Sequence, residues 1–266
     1  MKLKKVLTMS AIIALLFPLF AQTLLAGDMT GREIIDRSNA LENVQDMEAE
    51  MRMEIIRDDR VREREMIMYS LQAEDGTEKS LIRFLSPADV RESGFLNISY
   101  ADGEDESWLY LPALGRERRM SSEERGGDFM GSDFTNEDMT RTMDDYEYEL
   151  LGTREINGRE VYEIESLPLT DEIAEQVEFA RKITYIDAEH LYLHKEETYN
   201  ERDEKIKELT TDNVTEITDE LHLPLKMIMR DLENDGKTII SYEEIEVNTG
   251  LTADDFTTRA LTRPLR

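Results

Sequence analysis

The chain has 266 residues, 60 acidic against 32 basic, a net charge of -28 and no cysteine. These counts exclude disulfides, thiolate metal sites and thiol nucleophiles, and they disfavour nucleic acid, whose phosphates require a basic face. The length suits one β-rich domain and does not require two.

Residues 1–26 read as a signal peptide. Lys2, Lys4 and Lys5 precede an apolar run from Val6 to about Leu25, interrupted by Pro18, and Leu24-Leu25-Ala26 stands before Gly27 and Asp28. A basic start, an apolar stretch and a small residue before a polar one direct export and cleavage, here near Ala26. The alternative is an uncleaved anchor, since the run nearly spans a bilayer. Gly27 at the cut is not a cysteine that could carry lipid. The expected mature protein, residues 27–266, is therefore a single freely diffusing periplasmic domain.

Thr30 and Glu33 form a capping-box pattern, and Ile34, Leu41 and Val44 share a helical face, which predicts a helix over about 31–43. The period then changes to two. Met47, Ala49, Met51, Met53 and Ile55 alternate with charged residues, as in a strand with one wet face. Further strands are expected over 61–71, 79–85 and 107–111. Asn157-Gly158 is a strong hairpin signal between 146–151 and 159–166. Later strands fall at 178–187, 190–199, 204–211, 223–232 and 237–247. A short helix is expected from about Asn136 to Met143. So many hairpins imply an antiparallel meander, which must curl to hide its apolar face. The predicted architecture is mostly β: a curved antiparallel sheet or incomplete barrel, with helices against its concave side.

One stretch departs from generic hairpin sequence. Trp108-Leu109-Tyr110-Leu111-Pro112 is followed by Arg118-Arg119-Met120-Ser121 and then by Phe129-Met130-Gly131-Ser132-Asp133-Phe134. This resembles the signature of the outer membrane lipoprotein-sorting protein family, relatives of the periplasmic lipoprotein carriers. Phe84-Leu85-Ser86-Pro87 and Asp255-Phe256-Thr257-Thr258 match that pattern too. The resemblance implies an unclosed antiparallel barrel over helices, with an apolar hollow for acyl chains.

Candidate site residues follow. Trp108 and Tyr110 lie on one face of their strand and Leu109 and Leu111 on the other; the former pair is expected to line the hollow, unless it is ordinary core. Met51 and Met53 are adaptable apolar lining or gap fillers. Phe129, Met130 and Phe134, after the flexible Gly126-Gly127, form either a movable plug or a loop packed permanently on the core. Arg116, Arg118 and Arg119 suit a lipid head group or an acidic partner; alternatively they pair with Glu117, Glu123 and Glu124 on a wet strand face.

An enzyme is not expected. His190 and His194 lie in an alternating strand, where four residues span roughly 13 Å, too far for one ion. There is no nucleophile elbow and no phosphate-binding glycine loop. No metal or cofactor is anticipated, and a monomer is. The expected function is a periplasmic carrier for lipids or acylated lipoproteins. The alternative is a non-catalytic interaction module on an envelope lipid-export pump, with an inner-membrane transporter as partner. The acidity fits a solvated surface in a salty habitat or a cationic partner.

Overall fold

The structure is a computed structural model and describes residues 29–40, 44–101, 103–140 and 142–263. The expected signal peptide lies outside the described residues.

Thirteen strands form one antiparallel sheet. They are β1 (Asp46–Arg57), β2 (Arg60–Gln72), β3 (Glu78–Ser86), β4 (Gly94–Ser99), β5 (Glu106–Leu111), β6 (Arg116–Arg119), β7 (Tyr146–Ile156), β8 (Arg159–Pro168), β9 (Arg181–Asp187), β10 (Leu193–Tyr199), β11 (Lys205–Glu216), β12 (His222–Asp231) and β13 (Gly236–Val247). Three short helices accompany them: α1 (Gly31–Asn39), α2 (Asp171–Val177) and α3 (Thr258–Leu261). The spatial order is β6-β5-β4-β3-β2-β1-β13-β12-β11-β10-β9-β8-β7. Two meanders are thus joined where β1 pairs with β13, and β6 and β7 are the free edges, although consecutive in the chain.

The sheet curls. Met51, Met53 and Ile55 of β1 share one buried cluster with Met66, Phe84, Phe95, Leu209, Met229 and Ile240. In the sheet order β4, which carries Phe95, is six strands from β11, which carries Leu209. At the usual inter-strand spacing a flat sheet would separate them by roughly 29 Å. Only a concave surface brings both onto the same core. It stays open because β6 and β7 do not pair, as expected of an incomplete barrel.

The opening helix starts where predicted. The Glu33 N–H donates to Thr30 Oγ1 at 3.2 Å, and Thr30 N–H donates to Glu33 Oε2 at 2.7 Å. It ends at Asn39 rather than near 43, because Ala40 is already extended. Ile34 and Ile35 bury themselves against Ile164 and Ile186 of β8 and β9. Gly31 permits that approach: a Cβ there would lie 3.0 Å from the Leu150 backbone nitrogen of β7.

Asn157 (φ 53°) and Gly158 (φ 80°) both take the left-handed conformation that a two-residue hairpin turn needs. The helix expected from Asn136 to Met143 is a single 3-10 turn, Glu137–Met139. Helix α2 lies in the stretch between the strands expected at 159–166 and 178–187, where no element is expected, although Thr170 caps it and Asp171 and Glu172 fill its first turn.

The other face of β2–β5 carries a second core. Leu71, Leu81 and Leu96 are covered by Phe256, Ala260 and Leu261 from the C-terminal segment. Arg83, also on that face, donates to the backbone carbonyls of Ala260 at 2.8 Å and Arg263 at 2.9 Å. The tail is therefore a strap held by burial and a buried guanidinium. Replacing Leu261 by Ala removes a fully buried side chain. The expected cost is about 2–5 kcal/mol, read as a lower urea midpoint together with faster proteolysis after residue 250.

Candidate functional site

Residues 126–140 leave the β6 edge and enter the hollow. The segment closes on itself: Phe129 N–H donates to the Phe134 carbonyl at 2.8 Å, and Asp128 bridges Thr135. Its tip is Met130 (φ 53°) and Gly131 (φ 73°), left-handed in both places. Ser132 is fully buried and donates from Oγ to the Phe129 carbonyl at 2.8 Å. This turn drives Phe129 and Phe134 into the wall. Phe129 meets the edge of Phe95 at 5.5 Å between ring centres and Phe84 at 6.0 Å.

Five expected site residues come together here. Met51, Met53, Phe129 and Phe134 belong to one buried cluster, and Met130 packs against it half-buried. Trp108 and Tyr110 do not join them. In the register of β4 and β5, Phe95 faces Leu109 while Leu96 faces Trp108. Paired residues point to the same side of the sheet, so Leu109 faces the hollow and Trp108 and Tyr110 face outward. There they pack with Leu71, Leu96 and Leu261 under the C-terminal strap. The expectation that they line the hollow is corrected: strand β5 is apolar on both faces because both faces are covered.

The basic cluster on β6 is largely satisfied locally. Arg118 grips Glu124 with two contacts of 2.7 Å, and that hydrogen bonding holds the Glu124 carboxyl down to about 2. Arg119 donates to the Asp105 carbonyl at 3.3 Å and stands 3.8 Å from Glu106. Arg116 is exposed at the start of the edge strand. The local-pairing alternative thus describes Arg118, while Arg119 turns to Asp105 and Glu106 on the neighbouring strand side rather than to the expected glutamates.

What the sequence reading missed is how the loop is fastened. The Asp133 carboxylate is fully buried and meets Arg57 at 2.7 Å. Thr238 Oγ1 donates to it at 2.6 Å, and Asp133 N–H donates back to that oxygen at 3.0 Å. Lys207 donates to the Asp133 carbonyl at 2.9 Å. Arg64 donates to the Met130 carbonyl and Arg62 to that of Gly131. Farther along, Lys182 lies 3.0 Å from Asp138 and 2.9 Å from Glu196. Arg125 binds Glu137 in bidentate fashion at 2.7 and 2.8 Å, and Tyr146 donates to the same carboxylate at 2.6 Å.

Burial would raise the Asp138 carboxyl, but Lys182 and the Thr135 N–H outweigh it and hold it below the ordinary aspartate value. Burial would likewise lower Lys182, yet Asp138 and Glu196 carry it well above the usual lysine range. For Tyr146, burial and Glu137 both push the phenol up.

Two openings flank the plugged core. The larger, about 1140 Å³, is polar and lies between α1, α2 and the strands near β6; Arg32, Asp105, Arg125 and Asp144 are on its wall. The smaller, about 500 Å³, is lined by Leu193, Leu221, Leu223, Met227 and Tyr242, with His190 and His222 stacked at 3.9 Å between ring centres. Leu193, Met227 and Tyr242 also pack on the cluster that holds Phe134, so this opening borders the plugged core. No group of three acidic, histidine or cysteine residues among those described could hold a metal ion.

Two measurements test the fastening. A Cβ on Gly236 would fall 2.1 Å from Asp133 Oδ1 and 2.9 Å from Arg57 Cζ. Gly236→Ala should therefore dislodge the loop at a cost of about 1–3 kcal/mol, seen as a lower melting temperature and new proteolytic cuts within 126–140. The second is a pH profile. Asp138, being depressed when folded, stabilises the loop above the unfolded aspartate value near about 4 and loses that contribution as pH falls below it. Lys182, being raised, contributes fully below about 10 and loses its share only above that. Amide exchange in 130–138, corrected for its intrinsic rate, should be flat between these limits and accelerate below the lower one. Loosening near neutrality would refute this pairing.

The comparisons agree with this geometry. Residues 76–263 match the model of a family described as uncharacterized protein. No curated protein matches the chain. An outer membrane lipoprotein-sorting protein domain from Vibrio parahaemolyticus is 30% identical, with a TM-score of 0.79, over 88% of this chain and 98% of that one. A DUF1329 family protein from Desulfovibrio piger is 28% identical, with a TM-score of 0.78, over 87% and 97%. A LolA superfamily protein from Nitrosomonas europaea shares the fold at 18% identity and a TM-score of 0.64, over 86% and 98%. With an unclosed barrel of this kind and identity at that level along nearly its whole described length, the chain belongs to the outer membrane lipoprotein-sorting protein family.

Proposed function

We propose that the protein is a periplasmic carrier for lipids or acylated lipoproteins, exported by a signal peptide cleaved near Ala26 and active without chemistry or cofactor. The observation that carries this reading is the plug. An apolar hollow lined by Met51, Met53, Met66 and Met229 is filled by aromatic side chains from the chain's own loop. Methionine walls repack around guests of different shape.

The energetics favour exchange. Withdrawing two fully buried phenylalanines forfeits about 2–3 kcal/mol each. A sixteen-carbon acyl chain gains about 0.8 kcal/mol per buried methylene, or roughly 12 kcal/mol in all. The guest outweighs the rings, and the difference is available to break the polar contacts of the loop. The 500 Å³ opening beside Met227 borders the plugged core and is the entry this reading assigns to the guest. Loading and release then need a membrane partner that offers or accepts the chain.

The tight fastening of the loop favours a second reading, in which the hollow stays closed and the protein docks on an envelope lipid-export pump. Native mass spectrometry of protein from its own periplasm separates the two. A carrier retains lipid masses, binds acyl probes more tightly when Phe134→Ala weakens the plug, and binds them about tenfold more weakly when Met227→Asp charges the opening. Clean protein with no affinity for acyl probes, recovered together with a transporter, would leave the docking module as the reading.

A further inference from the structure

The hollow carries positive charge in a chain whose overall balance is -28. Arg57 at the end of β1, Arg62 and Arg64 on β2, and Lys207 on β11 all reach the tip of the plug loop. Their partners there are the Asp133 carboxylate and three backbone carbonyls, of Met130, Gly131 and Asp133. Arg64 is the telling member. It is 7% exposed, and among the described residues its polar contact is the Met130 carbonyl alone, with no carboxylate at ion-pair distance. A buried guanidinium without a counter-ion is costly and needs a reason. Its carbon lies 5.8 Å from the Phe84 ring centre, and Phe84 packs on Phe129. Arg64 therefore borders the apolar space that the plug fills. Asp89 acts on Arg64 only at a distance, and Asp231 pairs in register with Lys207.

We infer that Arg57, Arg62, Arg64 and Lys207 form a head-group site for the phosphate of a phospholipid, which the loop occupies with Asp133 and its carbonyls while the hollow is empty. This deepens the carrier reading and rests on it. When the loop withdraws, a neutral acyl chain would leave these cations buried and unpaired. A chain joined to a phosphate restores both halves of what the loop supplied, apolar bulk below and anionic oxygens above. Arginine suits this role through its paired N–H donors.

The test compares lysophosphatidylglycerol with a monoacylglycerol of the same chain, each displacing a neutral fluorescent acyl probe from the mature protein. The wild type should prefer the phosphate-bearing lipid by about tenfold or more. Arg64→Gln should erase that preference, while the monoacylglycerol affinity holds or rises because the variant also removes one fastening of the loop. Should circular dichroism show Arg64→Gln unfolded, the double variant Arg62→Gln/Lys207→Gln at accessible positions takes its place, with a partial loss expected. Equal wild-type affinities, or a preference that survives these variants, would overturn the head-group site while leaving the carrier reading intact. Inorganic phosphate that binds as well as the lipid, with no gain from the chain, overturns the lipid assignment. Failure of the probe and of both lipids to bind removes the carrier reading as well.

Discussion

The buried carboxylate of Asp133 is the point on which the hollow closes. It gathers Arg57 from β1 and Thr238 from β13, the two strands that join the meanders. Lys207 from β11 adds a bond to the same residue's carbonyl. A charge taken this far from water must be paired and hydrogen-bonded, or the folded state loses several kcal/mol. Such a pair adds little net stability over a well-packed apolar substitute, but it specifies position. Phenylalanines alone could settle in the hollow in several ways. Asp133 allows one, because only there do the guanidinium and the threonine hydroxyl meet it. Gly236 keeps that place clear, since any side chain would overlap the carboxylate.

The plug exists because the barrel does not close. β6 and β7 are consecutive in the chain but stand at opposite edges of the sheet. The segment between them must cross the opening. Having no strand to pair with, it satisfies its backbone within itself, against Gln176 of α2, and against cations of the wall. The apolar residues it carries then find the concave face by proximity. Arg125, bonded to both Glu137 and Asp145, ties the two ends of the crossing together. The opening and its stopper are thus one consequence of topology.

Much of the fold was legible because its signals are local. The alternation from Met47 to Ile55, the Asn157-Gly158 turn and the Thr30–Glu33 cap each specify geometry within a few residues. The inward face of β5 was not. Leu109 and Trp108 are both apolar, and period-two reasoning has nothing to choose between them when both faces are buried. What decides is the C-terminal strap, whose Leu261 lies far along the chain from Trp108. The loop illustrates the same limit. Phe129 and Phe134 announced themselves by hydrophobicity, whereas the partners of Asp133 lie 76 and 105 residues away. Strand β4, with Phe95 facing inward and Leu96 outward, also escaped a search for alternation.

Net charge conceals a reversal of sign. Acidic side chains dominate the sequence, yet the groups that surround the plug tip are cations, and the loop brings the anion to them. An apolar cavity could have been sealed by apolar residues alone, at less desolvation cost. A seal held by charge has a different property. In a lipid carrier, such a seal would disfavour neutral chains, which offer no replacement for the lost pairs, and yield to a guest that presents oxygens of its own. The loop and such a guest then compete for the same contacts. On the proposed carrier reading, the strength of the seal would set a threshold for loading, and it would select the chemistry of the guest's head as much as the length of its chain.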